Sequence, residues 1–229
     1  MLRTKVAISC LLACLLVVLT LPAWGADKGK DEETIRNANT VLQAMLESNG
    51  VPPGVIEKAD CVMVLPSVKK FAVGIGGSGG RGPMSCRHGA DFTGKWSTPA
   101  MYHVGGASAG AQIGGTSTDY VLLIMAPSAV NKVLDGHVKV GSDATAAAGP
   151  GASASTGNAD ILTYSRTSGL FAGVSLNGAS LDPDSDANQR LYGQNVSARD
   201  IVTGGAVKPT SAGEGMVRLL DSKAGMHQH

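Results

Sequence analysis

Residues 120–126 read Tyr-Val-Leu-Leu-Ile-Met-Ala, an apolar run without interruption. A strand points successive side chains to opposite faces. Apolar residues at every position therefore predict a strand covered on both sides, at the centre of a sheet. Cys61–Leu65 (CVMVL) carries the same signature and reads as a second buried strand. Pro66–Lys70 then reads as a turn and Phe71–Ile75 as a further strand.

Working outward, Gly76–Gly82 (GGSGGRG) offers too little side chain to hold a regular packed strand by side chains alone, and Trp96–Gly115 mixes short apolar runs with glycine. Lys28–Glu33 reads as a charged lead-in. Asp31–Ser48 reads as an amphipathic helix: Ile35, Ala38, Val41, Leu42, Met45 and Leu46 recur at helical spacing, Asp31, Glu32 and Glu33 suit a positive N-terminal dipole end, and Gly50 stops it. Pro52-Pro53-Gly54 opens a short helical turn over Val55–Lys58. Ser128–Leu134 reads as a helix capped by Ser128 and stopped by Gly136. His137–Val140 and Thr145–Ala148 are weaker strands, and Gly149–Asn158 is a loop. Ile161–Arg166 and Leu170–Leu176 read as a strand pair across Thr167-Ser168-Gly169, with Asn177-Gly178 as a further turn. Asp182–Asp186 leads into a helical turn near Ala187–Tyr192, and Ser211 with Glu214 forms a capping box for a last helix through Lys223. The order predicts an α+β fold: a many-stranded, mainly antiparallel sheet or partial barrel, with an N-terminal helix and short C-terminal helices.

Composition agrees. The 229 residues include 31 Gly but only nine aromatics. No G-X-Y period runs through the chain, which excludes a collagen, and 43% hydrophobic against 16% charged residues argues against a disordered protein.

The N-terminus reads as an export signal over residues 1–25. Arg3 and Lys5 precede the apolar run Val6–Leu21, and Ala23-Trp24-Gly25 places small residues for cleavage before Ala26. The run is short for a membrane span. Leu11-Leu12-Ala13-Cys14 resembles a lipoprotein cleavage box, a minor alternative that would lipidate Cys14. Cleavage before Ala26 leaves 17 bases against 18 acids, a net of −1 that removes any whole-protein case for nucleic-acid binding. It also leaves Cys61 and Cys86, which an oxidising compartment favours as a structural disulfide.

Several glycine-rich stretches imitate catalytic or nucleotide motifs. Gly74, Gly76 and Gly79 spell GxGxxG, but Gly80, Gly82 and Pro83 follow where a helix must open. Gly94-Lys95 almost completes a P-loop, yet Trp96 stands where the metal-binding Ser or Thr belongs. GxSxG occurs around Ser78 and around Ser108; Ser108 is the alternative enzymatic reading, a serine hydrolase, although the residues after it are poor helix material for a nucleophile elbow. Asp182, Asp184 and Asp186 alternate like a calcium loop but lack its glycine and closing glutamate. His88, His103 and His137 share no ligand spacing, so neither metal nor cofactor is expected. What remains is Lys69, Lys70, Arg81, Arg87 and Lys95, which with Asp91 give residues 61–118 a local net of +4. These five bases are the candidate site for an anionic headgroup, helped by free backbone N–H groups in Gly76–Gly82.

The segments ADCVMVLPSVKKFAVGIGGSGGRG, WSTPAMYHVGGASAGAQIGG with DYVLLIM, GSDATAAAGP, ILTYSRTSGLFAGVSLNG and LYG follow one another from about Val55 to Gly193. In that order they resemble a SYLF domain, of the bacterial exported branch; the block Tyr164-Ser165-Arg166…Gly169-Leu170-Phe171-Ala172-Gly173-Val174-Ser175 is the most specific. The resemblance implies a non-enzymatic lipid- or membrane-binding module. Eukaryotic relatives bind phosphoinositides, and in some cases actin, through basic N-terminal surfaces; here residues 26–60 carry a net of −3, so those particular ligands do not carry over. The expected layout is a signal peptide (1–25), a helical segment (26–54), a SYLF-like core (55–204) and a C-terminal helix with tail (205–229). The expected partner is anionic phospholipid at a membrane surface, in the periplasm or after secretion. A structural or adhesive envelope protein with a protein partner is the other reading.

Overall fold

The computed structural model describes residues 24–73, 75–89, 91–109, 114–136, 138–140, 145–147, 159–167, 170–171, 178–193 and 195–225. Helices α1 (Trp24–Glu47) and α2 (Pro53–Ile56) precede four long strands, β1 (Cys61–Val73), β2 (Ile75–Cys86), β3 (Ala100–Ala109) and β4 (Gly114–Ile124). Helix α3 (Pro127–Asp135) follows, then β5 (Val138–Lys139), β6 (Thr145–Ala147), β7 (Ile161–Thr167), β8 (Leu170–Phe171) and β9 (Ser180–Pro183). Helices α4 (Ser185–Tyr192), α5 (Ala198–Gly204) and α6 (Ser211–Lys223) close the described chain. The nine strands form one sheet in the order β5-β9-β3-β2-β1-β4-β7-β6, with β8 added to β7. Every pairing is antiparallel except β6 with β7. The α+β expectation and the mainly antiparallel sheet hold.

The run at 120–126 supplies the end of β4, between β1 and β7. Its alternate residues enter two opposed cores. Tyr120, Leu122 and Ile124 join Cys61, Met63 and Leu65 of β1 under α3 and α5. Val121 and Leu123 join Val62 and Val64 under α1, α2 and α6. The apolar stripe of α1 is buried as expected, from Ile35 to Leu46. Cys61 lies directly opposite Cys86 in the β1–β2 register, and the two form a disulfide.

Several local expectations change. The stretch 66–70 is not a turn: β1 runs straight through it with one extra residue, since Leu65 faces Tyr120 while Val68 faces Thr118. This bulge suits Pro66, which has no N–H to give to a ladder. Ser67 takes a left-handed φ of 52°, and its N–H donates to Asp119 Oδ1 at 2.9 Å. Residues 28–33 are helical, because α1 begins at Trp24. Pro127 at the first turn, not the Ser128 hydroxyl, starts α3. Thr210, one residue before Ser211, caps α6 by accepting from the Gly213 N–H. Residues 180–183 form a strand, and Asp184 caps α4. A further helix beyond those expected, α5, is capped by Ser197. Of the expected strand over Leu170–Leu176, only Leu170–Phe171 falls within the described residues. The signal segment 1–23, Asn177 and loop 149–158 lie outside them, apart from Trp24 and Gly25 in α1.

The glycine-rich stretch 76–82 is a regular strand after all. It sits between β1 and β3 and is held by backbone pairing on both sides. At Gly82 the approach is tight: a Cβ would lie 1.8 Å from the Val64 carbonyl oxygen, whereas at Gly79 it would meet nothing within 4 Å. Gly82→Ala is therefore expected to cost about 1–3 kcal/mol by forced backbone displacement, and Gly79→Ala to stay within about 0.5 kcal/mol. Urea unfolding of the two variants checks this; equal costs would contradict the packing described.

Candidate functional site

Five bases suggested a patch in the sequence, and the fold separates them. Arg87 is buried at 1% exposure. Its Nε donates to Ala59 O at 3.1 Å, Nη1 to Gly225 O at 2.5 Å and Gly94 O at 3.4 Å, and Nη2 to Ala224 O at 2.6 Å and Glu57 O at 3.2 Å. The guanidinium stacks 4.4 Å from the Trp96 ring centroid, and Trp96 Nε1 donates to the same Ala224 carbonyl. A cation at the carbonyl end of α6 complements the helix dipole, so Arg87 fastens the end of α6 to the turn after α2. It is removed as a surface contact. Burial lowers its pKa against the raising pull of Asp60 and Asp221.

Arg81 is committed as well. Its Nη2 donates to Asp31 Oδ1 at 2.7 Å and its Nε to Asp184 Oδ2 at 2.6 Å. Asp31, 1% exposed, also accepts from Arg190 Nε at 2.7 Å. Two arginines and two aspartates thus join α1, β2 and α4 with no net charge. Burial opposes the charged form of Arg81, but Asp184 and Asp31 outweigh it and raise its pKa. The hydrogen bond to Asp31 raises that of Arg190. The sequence placed Asp31 near a helix start; its partners lie 50 and 159 residues away, beyond any local pattern.

Lys69 and Lys70 remain at the sheet's upper end, on opposite faces of β1. Lys69 is exposed and, with Thr34 and Asn37 of α1, Pro66 and Ser67 of the bulge, and Gly79, Gly80 and Arg81 of β2, lines an open groove of about 480 Å³. Lys70 Nζ lies 5.9 Å from the Tyr120 ring centroid on the other face. Lys95 is exposed in the loop before β3, beside the buried Trp96 and away from both lysines in the register. The five bases do not converge; Lys69 and Arg81 share one groove, and Lys70 backs onto it through the sheet.

The serine motifs lie in strands. Ser78 pairs with Lys70 and Gly106, and Ser108 pairs with Gly76. Neither sits on the strand-to-helix turn that a nucleophile elbow requires. Among the described residues no three His, Cys, Asp or Glu side chains gather as metal ligands, and no helix is long and apolar enough to cross a membrane.

A family model described as Ysc84, Las17-binding protein actin regulator, matches residues 105–223, from the middle of β3 through α6. The chain belongs to the Ysc84 (SYLF) family. Among its relatives, LAS seventeen-binding protein 3 of Saccharomyces cerevisiae is 32% identical over 183 residues, covering 76% of this chain and 39% of the relative. Protein YSC84 of the same yeast is 31% identical over 205 residues, 82% of this chain and 43% of the relative. The SH3 domain-containing YSC84-like protein 1 of Homo sapiens is 34% identical over 179 residues, 75% of this chain and 51% of the relative. The chain spans about half the length of these relatives, or less. The SYLF resemblance read from Val55 to Gly193 is thus borne out, and the matched region runs on through the last helix.

One buried acid lies next to the disulfide. Asp60 is 4% exposed, its Oδ2 has no hydrogen-bond partner, and its carbonyl accepts from the Arg87 N–H at 2.8 Å. Burial pushes its carboxyl up to about 6 from 3.8, against the lowering pull of Arg87. Between those values the folded state holds more protons than the unfolded one, so this group's stabilising contribution is present below about pH 4 and is lost as pH rises through 6. Asp60→Asn removes that loss. Urea unfolding should show the variant gaining stability relative to the parent between pH 4 and 7; a constant difference across that range contradicts the assignment.

Proposed function

We propose that this SYLF domain is a non-catalytic module that binds anionic phospholipid at a membrane surface, in the periplasm or after secretion, following signal cleavage before Ala26. The observation that supports the reading most is the adjacent pair Lys69–Lys70 at the upper end of β1, one lysine to each face, next to an open groove floored by glycine-rich strand. A cation close to an anionic surface contributes about 1 kcal/mol. Arg81 and Arg87 are spent on internal partners and belong to the framework rather than to the contact.

Cosedimentation of the mature chain, from Ala26 onward, with vesicles checks the reading. Binding to phosphatidylglycerol-containing vesicles should exceed binding to phosphatidylcholine vesicles at low salt and fall as salt rises. Lys69→Ala with Lys70→Ala should weaken partitioning about thirty-fold, from two contacts of about 1 kcal/mol each. Equal pelleting with both vesicle types, or no effect of the double variant, would sink the electrostatic reading. Arg81→Ala is the wrong test, since it strips a partner from buried Asp31.

A protein partner is the second reading, favoured by the matching family's description as a Las17-binding protein and actin regulator and by the names of the yeast relatives. It predicts cosedimentation with filamentous actin in the absence of lipid, unaffected by the lysine pair.

A further inference from the structure

The glycines of β2 and β3 have two different origins. Packing requires Gly80 and Gly82: a Cβ at Gly80 would lie 2.7 Å from Val68 Cγ2, and one at Gly82 would lie 1.8 Å from the Val64 carbonyl oxygen. Gly79 and Gly105 have no such cause. A Cβ at either would meet nothing within 4 Å, and neither has the left-handed φ that favours glycine. The two pair with each other, and Gly79 pairs with Lys69, so Lys69, Gly79 and Gly105 stand abreast on one face of β1, β2 and β3. The lysine thus borders two bare strands, a floor about 10 Å across at ~4.8 Å per strand.

The Gly79 side of this floor opens into the groove of about 480 Å³ beside α1, a size within the ~300–1,000 Å³ range of small-molecule sites. Its described lining includes Lys69, Asn37, Thr34, Ser67 and Arg81, and no carboxylate. Among the described residues nothing engages the Lys69 ammonium, the Asn37 amide or the Ser67 hydroxyl. Thr34 donates to Lys30 O at 2.9 Å, and its oxygen can still accept. The carboxylates bonded to lining residues are taken: Asp31 and Asp184 hold Arg81, while Asp119 accepts from the Ser67 N–H and from Arg166. Arg81 is therefore a fixed wall of balanced charge, and Lys69 is the cation of the described lining that lacks a counter-charge.

We propose that this groove seats one hydroxylated phosphodiester, its phosphate on the Lys69 ammonium and its polyol end against Asn37, Thr34 and Ser67. The ester is the headgroup of a lipid of the phosphatidylglycerol type, or the same group free in solution. The proposal rests on the lipid reading above and adds to general charge attraction a defined headgroup site. Lysine binds phosphate as a point charge. Hydroxyls and an amide match a polyol, because each can both donate and accept. The bare glycine floor lets the ester lie close against the backbone beside Lys69. A headgroup that carries an amine is disfavoured, since its ammonium would lie near Lys69 with no carboxylate in the described lining to receive it.

The test uses the mature chain and vesicles of equal net charge, made anionic by phosphatidylglycerol or by phosphatidylserine. Pelleting should favour phosphatidylglycerol at least about fivefold, the order of one hydrogen bond to a charged group. Gly79→Val fills the floor beside Lys69 without altering charge. It should abolish that preference and weaken partitioning into phosphatidylglycerol vesicles about tenfold, with the unfolding midpoint not lowered. Asn37→Ala, at an exposed helix position, should narrow the preference too, and it decides the matter if Gly79→Val unfolds early. Equilibrium dialysis with glycerophosphoglycerol, the deacylated headgroup, separates the two sources. Binding of that ester without pelleting assigns the groove to a free phosphodiester and removes the lipid reading; preference on vesicles alone assigns it to lipid. Equal pelleting with both anionic lipids, or unchanged binding in folded Gly79→Val or in Asn37→Ala, overturns the headgroup site and leaves the lipid reading standing. A parent that binds neither vesicles nor glycerophosphoglycerol removes both.

Discussion

The burial of β1 and β4 on both faces constrains everything else in this protein. Cys61, Met63 and Leu65 point one way and Val62 and Val64 the other, and the matching residues of β4 repeat the division. A strand pair of this kind exposes hydrocarbon to water unless both sides are covered, and each fully buried Leu, Ile or Val contributes about 1.5–3 kcal/mol. The helices divide accordingly, with α1, α2 and α6 on one side and α3 and α5 on the other. The single extra residue at Pro66-Ser67 then resets the alternation. It keeps Val68 in the same core as Leu65 and sends Lys69 to the groove side. Asp119 holds the bulge through the Ser67 N–H and is itself held by Arg166 at 2.9 Å.

Buried charge fixes the layers to one another. Arg87 satisfies its donors on backbone carbonyls from three separate stretches of chain, and Asp31 gathers two arginines at the junction of α1, β2 and α4. Removing Arg87 leaves buried carbonyls without a donor, each costing about 1–3 kcal/mol, whereas removing Arg81 or Arg190 leaves buried Asp31 with one arginine in place of two. Sequence charge and surface charge are therefore different quantities here. Of a stretch with net +4, two cations are consumed by the framework, and what reaches solvent near the glycine-rich end is the lysine pair on β1.

Apolar periodicity was the readable part of the chain. The stripe of α1, the double-sided run of β4 and the CVMVL strand follow from spacing alone, because side-chain burial drives each of them. The strand at 76–82 was not readable in this way. Its residues contribute almost no side-chain burial, and its place comes from the ladders on either side, which any non-proline backbone can supply. Helix α5 has a short local signal of its own: Ser197 precedes Ala198, Ile201 and Val202, a cap followed by a buried helical face, compressed into seven residues. At the candidate site the identities of Lys69 and Lys70 were legible, while the withdrawal of Arg81 and Arg87 was not.

The sequence by itself determined which segments must be buried, the pairing of the only two cysteines in the region after residue 25, and membership of the SYLF family through the glycine and Tyr-Ser-Arg pattern. Those properties depend on local composition and spacing, which a linear reading contains. The tertiary structure alone decided which charges face inward and which strand ends meet. Asp31 and Arg190 are 159 residues apart, and Phe71 reaches Gly115 only because β4 lies beside β1. Such contacts depend on the order of strands in the sheet, and that order is set by the simultaneous packing of two cores rather than by any one segment.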